Sequence, residues 1–331
     1  MKNGFYSVAE AGGLIASGSA FMIAGAEEAL TQLPKGKWIG GTSVYFLTKN
    51  GGICDRDRVF VTEIDQASAS HIVYHAPQDL AQIPMGRYDH GMSLILIPAY
   101  SKAHAEFALE GANYPGLFDQ PLMGWITGVH LDEIGVKDPK IVNGQTGEVY
   151  SEGAILLHVE LPQHLEPVID IVNIFNPSED GDVITFTQTG FGATRAIVNG
   201  QEVDFASYLT ESKQNTRLPL VANYAGAKIN TSFMSVDDTG VSFFAPVIQG
   251  VEYRFASTPK SCLTGYLDSS DLSAGEELSC NCILNYAYCE LEGQKTGNFV
   301  GPATFGEIAY ILLNQTMVHV KLAAQEAVKA S

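Results

Sequence analysis

Cys280 and Cys282 stand two apart in Ser279-Cys280-Asn281-Cys282, a run that reads as the end of a strand. Alternate residues of a strand share a face, so both thiols point the same way. Such a pair could supply a nucleophile, helped by a histidine such as His130 or His158 brought near by folding, or half of a soft-metal site. Zinc usually takes a Cys-x2-Cys spacing with two further ligands, and no such second pair stands in the chain. The plainer reading is two small residues packed at a strand end. His71 and His75 pose a similar choice, being four apart. They flank Ile72-Val73-Tyr74, which favours a strand, where the two rings share a face but lie too far apart to hold one ion closely. No metal and no cofactor are expected.

A second group could hold an oxyanion. Gly41-Thr42-Ser43, inside Gly40-Gly41-Thr42-Ser43, and Thr304, inside Gly301-Pro302-Ala303-Thr304, look like two glycine-led turns with hydroxyls beside an apolar segment. Backbone amides freed by such turns, with a hydroxyl nearby, seat a carboxylate or carbonyl oxygen. Arg254 lies in an otherwise apolar strand and could anchor a carboxylate by bidentate pairing, or simply form a surface salt bridge. Glu307 follows Gly306 and is read as preceding an apolar helix, whose N-terminus it would cap unless it holds a ligand's ammonium group. Trp125, with Thr127 and His130, sits in a glycine-punctuated stretch able to line a cleft or to pack as an ordinary aromatic.

These residues need elements to position them. Ser19 to Gly25 reads as a buried strand leading into a helix; the alternative, a signal-peptide-like apolar run from Ala11 to Ala26, is diluted by glycines and has Glu10 against it. Thr42 to Thr48 and Val59 to Ile64, with Asn50-Gly51-Gly52 between, look like a hairpin. Met92 to Pro98 is a nearly continuous apolar strand of the kind covered on both faces, followed by a helix from Ser101 to Glu110. In the second half Asn199-Gly200 joins Ala196–Val198 to Gln201–Val203 as a hairpin, with a helix from Asp204 after it. Gly190-Phe191-Gly192 lacks the third glycine and the helix a dinucleotide loop needs, and neither a Gly-x-Ser-x-Gly elbow nor a Walker loop is present.

The 331 residues suit two domains, and 46% hydrophobic against 17% charged side chains gives them cores. The 37 acidic and 19 basic side chains leave a formal charge of −18, which repels phosphate backbones and anionic lipid, so nucleic acid and membrane partners are not expected. No apolar run reaches the ~18 residues of a membrane span. Five cysteines, at 54, 262, 280, 282 and 289, do not form a disulfide framework and suit the cytoplasm.

The second half resembles the C-terminal FIST domain over most of its length. The matching features are Val198-Asn199-Gly200-Gln201 with a helix ending at Tyr208-Leu209, Gly240 to Phe243 before Gly250 to Arg254, the Ser279 to Cys282 strand end, and Gly301 to Ile308 with Asn314 and Thr316 behind it. The first half would be the N-terminal FIST domain, with Ile39 to Ser43 and Gly144 to Val159 in matching places. Two departures mark a divergent subfamily: Cys282-Ile283-Leu284-Asn285 stands where the family carries an arginine soon after its cysteine, and Ala99 to Leu131 is an insert. The resemblance implies a sensory protein that binds a small ligand, with amino acids as the suggested class, and a possible signalling partner.

The expected molecule is therefore α/β (α+β), two similar domains at 1–162 and 163–331 with mixed, largely antiparallel sheets flanked by helices. Its ligand, an amino acid or other small carboxylate, would lie between the domains against Gly41, Thr42, Ser43, Trp125, Arg254, Cys280, Cys282, Thr304 and Glu307. The alternatives are an enzyme using Cys280 or Cys282 as nucleophile and a scaffold that binds another protein.

Overall fold

Ser101 shows how locally the chain sets its elements. Its hydroxyl accepts from the His104 amide at 3.0 Å and opens the helix Lys102–Glu110, which turns Ala103, His104 and Phe107 inward. Ser7 does the same for Val8–Ile15 through a reciprocal box with Glu10. In the computed structural model, which describes residues 1–224, 227–259, 261 and 277–324, such helices are short and strands dominate. Cys262 and the Ala-rich tail after Ala324 lie outside the described residues. The chain is a mixed α/β protein whose sheets are largely antiparallel, with three parallel pairings among the described strands. Among the described residues no helix is long and apolar enough to cross a membrane.

Three six-stranded sheets make the main body. The first runs Lys2–Ser7, Arg58–Ile64, Ala20–Gly25, Trp38–Thr42, Ile141–Asn143, Glu148–Tyr150. The second runs Ile311–Leu313, Gly306–Ala309, Leu122–Thr127, Gly91–Pro98, Ala154–Glu160, Ala69–His75. The third runs Leu165–Val172, Met317–Ala324, Leu278–Cys282, Gly301–Thr304, Tyr45–Thr48, Gly51–Cys54. The second and third sheets thus draw strands from both sides of residue 162. The chain after 277 returns to pair with the first half, at Trp125↔Glu307 and at Phe46↔Pro302. A separate core, with Phe186, Phe205, Phe233, Phe243 and Tyr253 packed ring against ring, belongs to the stretch between 184 and 255, its strands and the helix Phe205–Glu211.

Gly91–Pro98 is buried along its whole length: Leu94 and Leu96 face one core, Ile95 and Ile97 the other. Each such side chain contributes roughly 1.5–3 kcal/mol on burial, so this central strand anchors the sheet stack. The Asn199-Gly200 hairpin forms as its residues require, with both at positive φ (48° and 82°), and Asp204 caps the following helix.

Three expectations are corrected. Tyr45–Thr48 does turn back at Asn50-Gly51, but its partner is Gly51–Cys54; Arg58–Ile64 crosses to the first sheet and pairs with Lys2–Ser7 and Ala20–Gly25. Glu307 precedes no helix: Gly306–Ala309 is a strand that reverses at Tyr310 (φ 63°) into Ile311–Leu313. An apolar run buried on both faces carries no period that separates strand from helix. The glycine-led segments are strands as well, not turns. Gly41 is needed because a Cβ there would stand 2.7 Å from Thr127 Cγ2, where two sheets approach closely.

Candidate functional site

Most of the polar residues singled out from the sequence do converge, and they converge in the interior. Glu307 lies directly across from Trp125 in the second sheet, and Gly41 of the first sheet faces Trp125, its would-be Cβ 3.1 Å from the indole Nε1. Cys280 Sγ reaches the Gly124 carbonyl at 3.5 Å, and the Cys282 thiol donates to Glu307. Thr304 Oγ1 donates to the Asn281 and Gly306 carbonyls, and Ser43 Oγ to that of Ala303 at 2.7 Å. Thr42 Oγ1 takes the Lys140 amide at 2.9 Å. The three hydroxyls are thus spent on closing strand to strand, whereas Trp125 Nε1 has no partner among the described residues. Arg254 does not join them; it sits in the sheet of the 184–255 unit, opposite Val221, and donates to the Gly181 carbonyl.

Glu307 is the chemical centre of this seam. One carboxyl oxygen accepts from Thr316 N at 3.2 Å and Thr316 Oγ1 at 2.7 Å, while the other, Oε1, has no partner among the described residues. Burial pushes its pKa up to about 8, against the pull of Thr316 and Cys282, so the acid is mostly protonated at neutral pH. Burial, and then the neighbouring Glu307, push both thiols well above their ordinary value. A nucleophilic cysteine needs the opposite shift. Nor is a histidine base at hand: His158 Nδ1 is held 2.8 Å from Ser93 Oγ, and His130 stacks on Tyr45. His71 packs beside His158 with ring centroids 5.1 Å apart, and His75 closes the same strand. Cys54, Cys280 and Cys282 are free, whereas Cys289 is disulfide-bonded, a crosslink the cysteine spacing did not suggest.

The accessible site lies in front of this seam. A pocket of about 280 Å³ opens where three stretches of chain meet: Tyr100 to Ala105 with Leu131 and Ile134; Phe191, Met234 and Phe243 of the 184–255 unit; and Ile283, Leu284 and Phe305, whose near neighbours Cys282 and Glu307 lie in the seam. Its wall is almost wholly apolar, and Tyr100, Leu131, Ile134 and Met234 leave large side chains exposed at it. The polar exceptions are Ser101 and Ser242, whose hydroxyls are bonded to the Pro98 carbonyl and to Ser235, and His104. His104 Nδ1 accepts the Tyr100 amide at 3.3 Å, which places the ring proton on Nε2, and that N–H has no partner among the described residues. Burial lowers its pKa to about 4, so the ring is neutral, and its Nε2–H is shielded from solvent at the base of the wall.

A family model matches the chain from residue 6 to residue 323. The chain belongs to that family, a family of unknown function (DUF6976). No curated protein and no solved structure matches it. The DUF6976 match spans all three stretches that build the pocket, so the pocket is part of the matched body and not of an appended segment.

The pocket residues were not singled out from the sequence, yet one signal was present: positions 103, 104 and 107 form the inward face of one helix, so His104 is a histidine on an apolar face.

Proposed function

We propose that this protein is a binding module whose ligand is a small, largely apolar molecule with one hydrogen-bond acceptor, held in the pocket against His104. The observation that carries the reading is an apolar pocket of about 280 Å³ with a neutral imidazole in its wall, whose unpaired Nε2–H is covered in this structure and would be reached by a small shift of the side chains over it. An unpaired buried donor costs ~1–3 kcal/mol, a cost a carbonyl or ether oxygen removes on binding. The volume equals roughly nine waters at ~30 Å³ each, room for a compact fragment. A stand-alone sensory role, of the kind the FIST resemblance implies, fits such a module, and an amino-acid ligand is retained as the second reading because Thr42, Ser43, Trp125, Thr304 and Glu307 gather at one seam. Cytoplasm is the proposed setting for its free thiols; the disulfide at Cys289 weighs against it.

The test is a thermal-shift panel of the purified chain against amino acids, small carboxylates and neutral apolar fragments with and without a carbonyl. A ligand at about 100 times its Kd adds about 2.7 kcal/mol. Shifts confined to carbonyl-bearing apolar fragments, and reduced in His104→Leu, are expected. Shifts confined to amino acids would move the site to the seam and overturn the pocket reading.

A further inference from the structure

We propose that the apolar pocket and the polar cleft beside it are two halves of one site, and that its ligand is an amphiphile whose polar end is a cation. This rests on the apolar pocket being a ligand site and adds the chemistry of the ligand's other end. A cleft of about 370 Å³ shares Ala99, Tyr100, Ser101 and Ile134 with the pocket. Tyr100 is the ridge between them, its side chain half exposed and its backbone in the left-handed region at φ 61°. The Tyr100 amide is bonded to His104 Nδ1, so a residue in the wall of the apolar pocket also fixes the ridge.

The far side of the ridge is acidic. Glu152 and Asp138 line the cleft, together with Lys137. The Lys137 ammonium is already engaged by Glu28 and Glu133, each at 3.2 Å, and so offers little to an anionic ligand. Glu152 is fixed in place, both carboxylate oxygens accepting the Lys102 amide at 3.2 and 3.1 Å at the start of the helix that carries His104. Among the described residues no lysine or arginine pairs with Glu152, whereas Asp138 has Lys140 at 3.8 Å. A cationic head lodged at Glu152 would have its apolar body lying over Tyr100 towards Phe305 and Phe191. A formal charge of −18 on the whole chain further favours accumulation of cations over anions.

The experiment is a set of dissociation constants, by saturation-transfer NMR at pH 7 and low salt, for hexylamine, hexan-1-ol and hexanoate on the full chain. The amine is expected to bind about five-fold tighter than the alcohol, as one partly exposed ion pair provides, and hexanoate weakest. Glu152→Gln keeps an oxygen for the Lys102 amide and is expected to bring the amine-to-alcohol ratio to about one. Raising the salt to 0.5 M should shrink the ratio in the unsubstituted chain in the same direction. If the alcohol binds and the amine is no tighter, or if Glu152→Gln leaves the ratio unchanged, the two-part site is wrong while the pocket stands. If none of the three binds at millimolar concentration, the pocket reading falls with it.

Discussion

The seam around Glu307 and the pocket around His104 each bury a titratable group with one polar atom unpaired, and they differ in what stands opposite. At the seam, sheets approach until only a glycine fits at position 41, and the mismatch is met by keeping a carboxylic acid protonated. At the pocket, the 184–255 unit meets the helix Lys102–Glu110 without filling the space between, and the unpaired Nε2–H lies just behind the wall of that space. An orphaned polar atom in a closed core is a stability problem, whereas the same orphan beside a void is a recognition element. Substitutions should therefore separate the two: seam changes cost stability, pocket changes cost binding.

The largest effect is expected from Trp125→Ala. The indole is buried across from Glu307 and against Gly41, so its loss leaves a cavity between sheets and should cost about 3–5 kcal/mol in urea denaturation. A loss below about 1 kcal/mol would mean the seam is not the closed core described.

Next comes pH. Glu307 has a folded pKa of about 8, raised from 4.5, so the fold holds its proton more tightly than the unfolded chain does. Its stabilising share is complete below pH 4.5 and is lost as pH climbs to about 8, near 1.4 kcal/mol per unit, or about 2 kcal/mol between pH 6.5 and 8. The histidines act in the opposite direction. Burial lowers His104 to about 4 and His158 to about 3, so the fold excludes their protons and loses stability as pH falls below 6.5. Taken with Glu307 alone, these groups set a stability maximum near pH 6.5. Glu307→Gln should flatten the alkaline side of the denaturation curve and leave the acid side in place; an unchanged alkaline slope would show that Glu307 ionises freely.

His104→Leu probes the other region. It removes the orphaned N–H and keeps the volume roughly constant, so folding stability should stay within about 1 kcal/mol, since the Tyr100 amide it frees lies near solvent. Binding of a carbonyl-bearing fragment should weaken about ten-fold. Equal affinity in both proteins would remove His104 from recognition.

The two regions also differ in how far the sequence foretold them. Cys280, Cys282, Thr304, Glu307, Trp125 and Ser43 could be grouped because each stands out by type within an apolar run, and strand geometry then packs them together. Gly91–Pro98 and the Asn199-Gly200 hairpin were legible because length, apolarity and turn chemistry are local properties. The pocket was not, because its walls come from residues as far apart as 100 and 305, and no periodicity reports that two surfaces fail to meet. The same long-range pairing hid the true partner of Arg58–Ile64 and the return of Gly301–Leu313 to the sheets of the first half. Arg254 stood out as a cation in an apolar strand, but that strand, Tyr253–Phe255, belongs to a separate sheet and pairs with Leu220–Tyr224.

The smallest effect, and the sharpest test of the ridge, is expected at Tyr100. A non-glycine residue at φ 61° carries a backbone cost of about 1 kcal/mol or somewhat more. Glycine relieves it but adds unfolded-state entropy of ~0.5–1 kcal/mol, alanine keeps the strain, and both lose the ring's packing against Phe305. Glycine should therefore be the more stable of the two by about 0.5 kcal/mol at most in thermal denaturation. Both should weaken the amine and the alcohol alike, since each loses the surface on which the apolar body rests. If alanine proves more stable than glycine by ~0.5–1 kcal/mol, the left-handed backbone at 100 carries no strain; if neither weakens binding, the ligand does not cross the ridge.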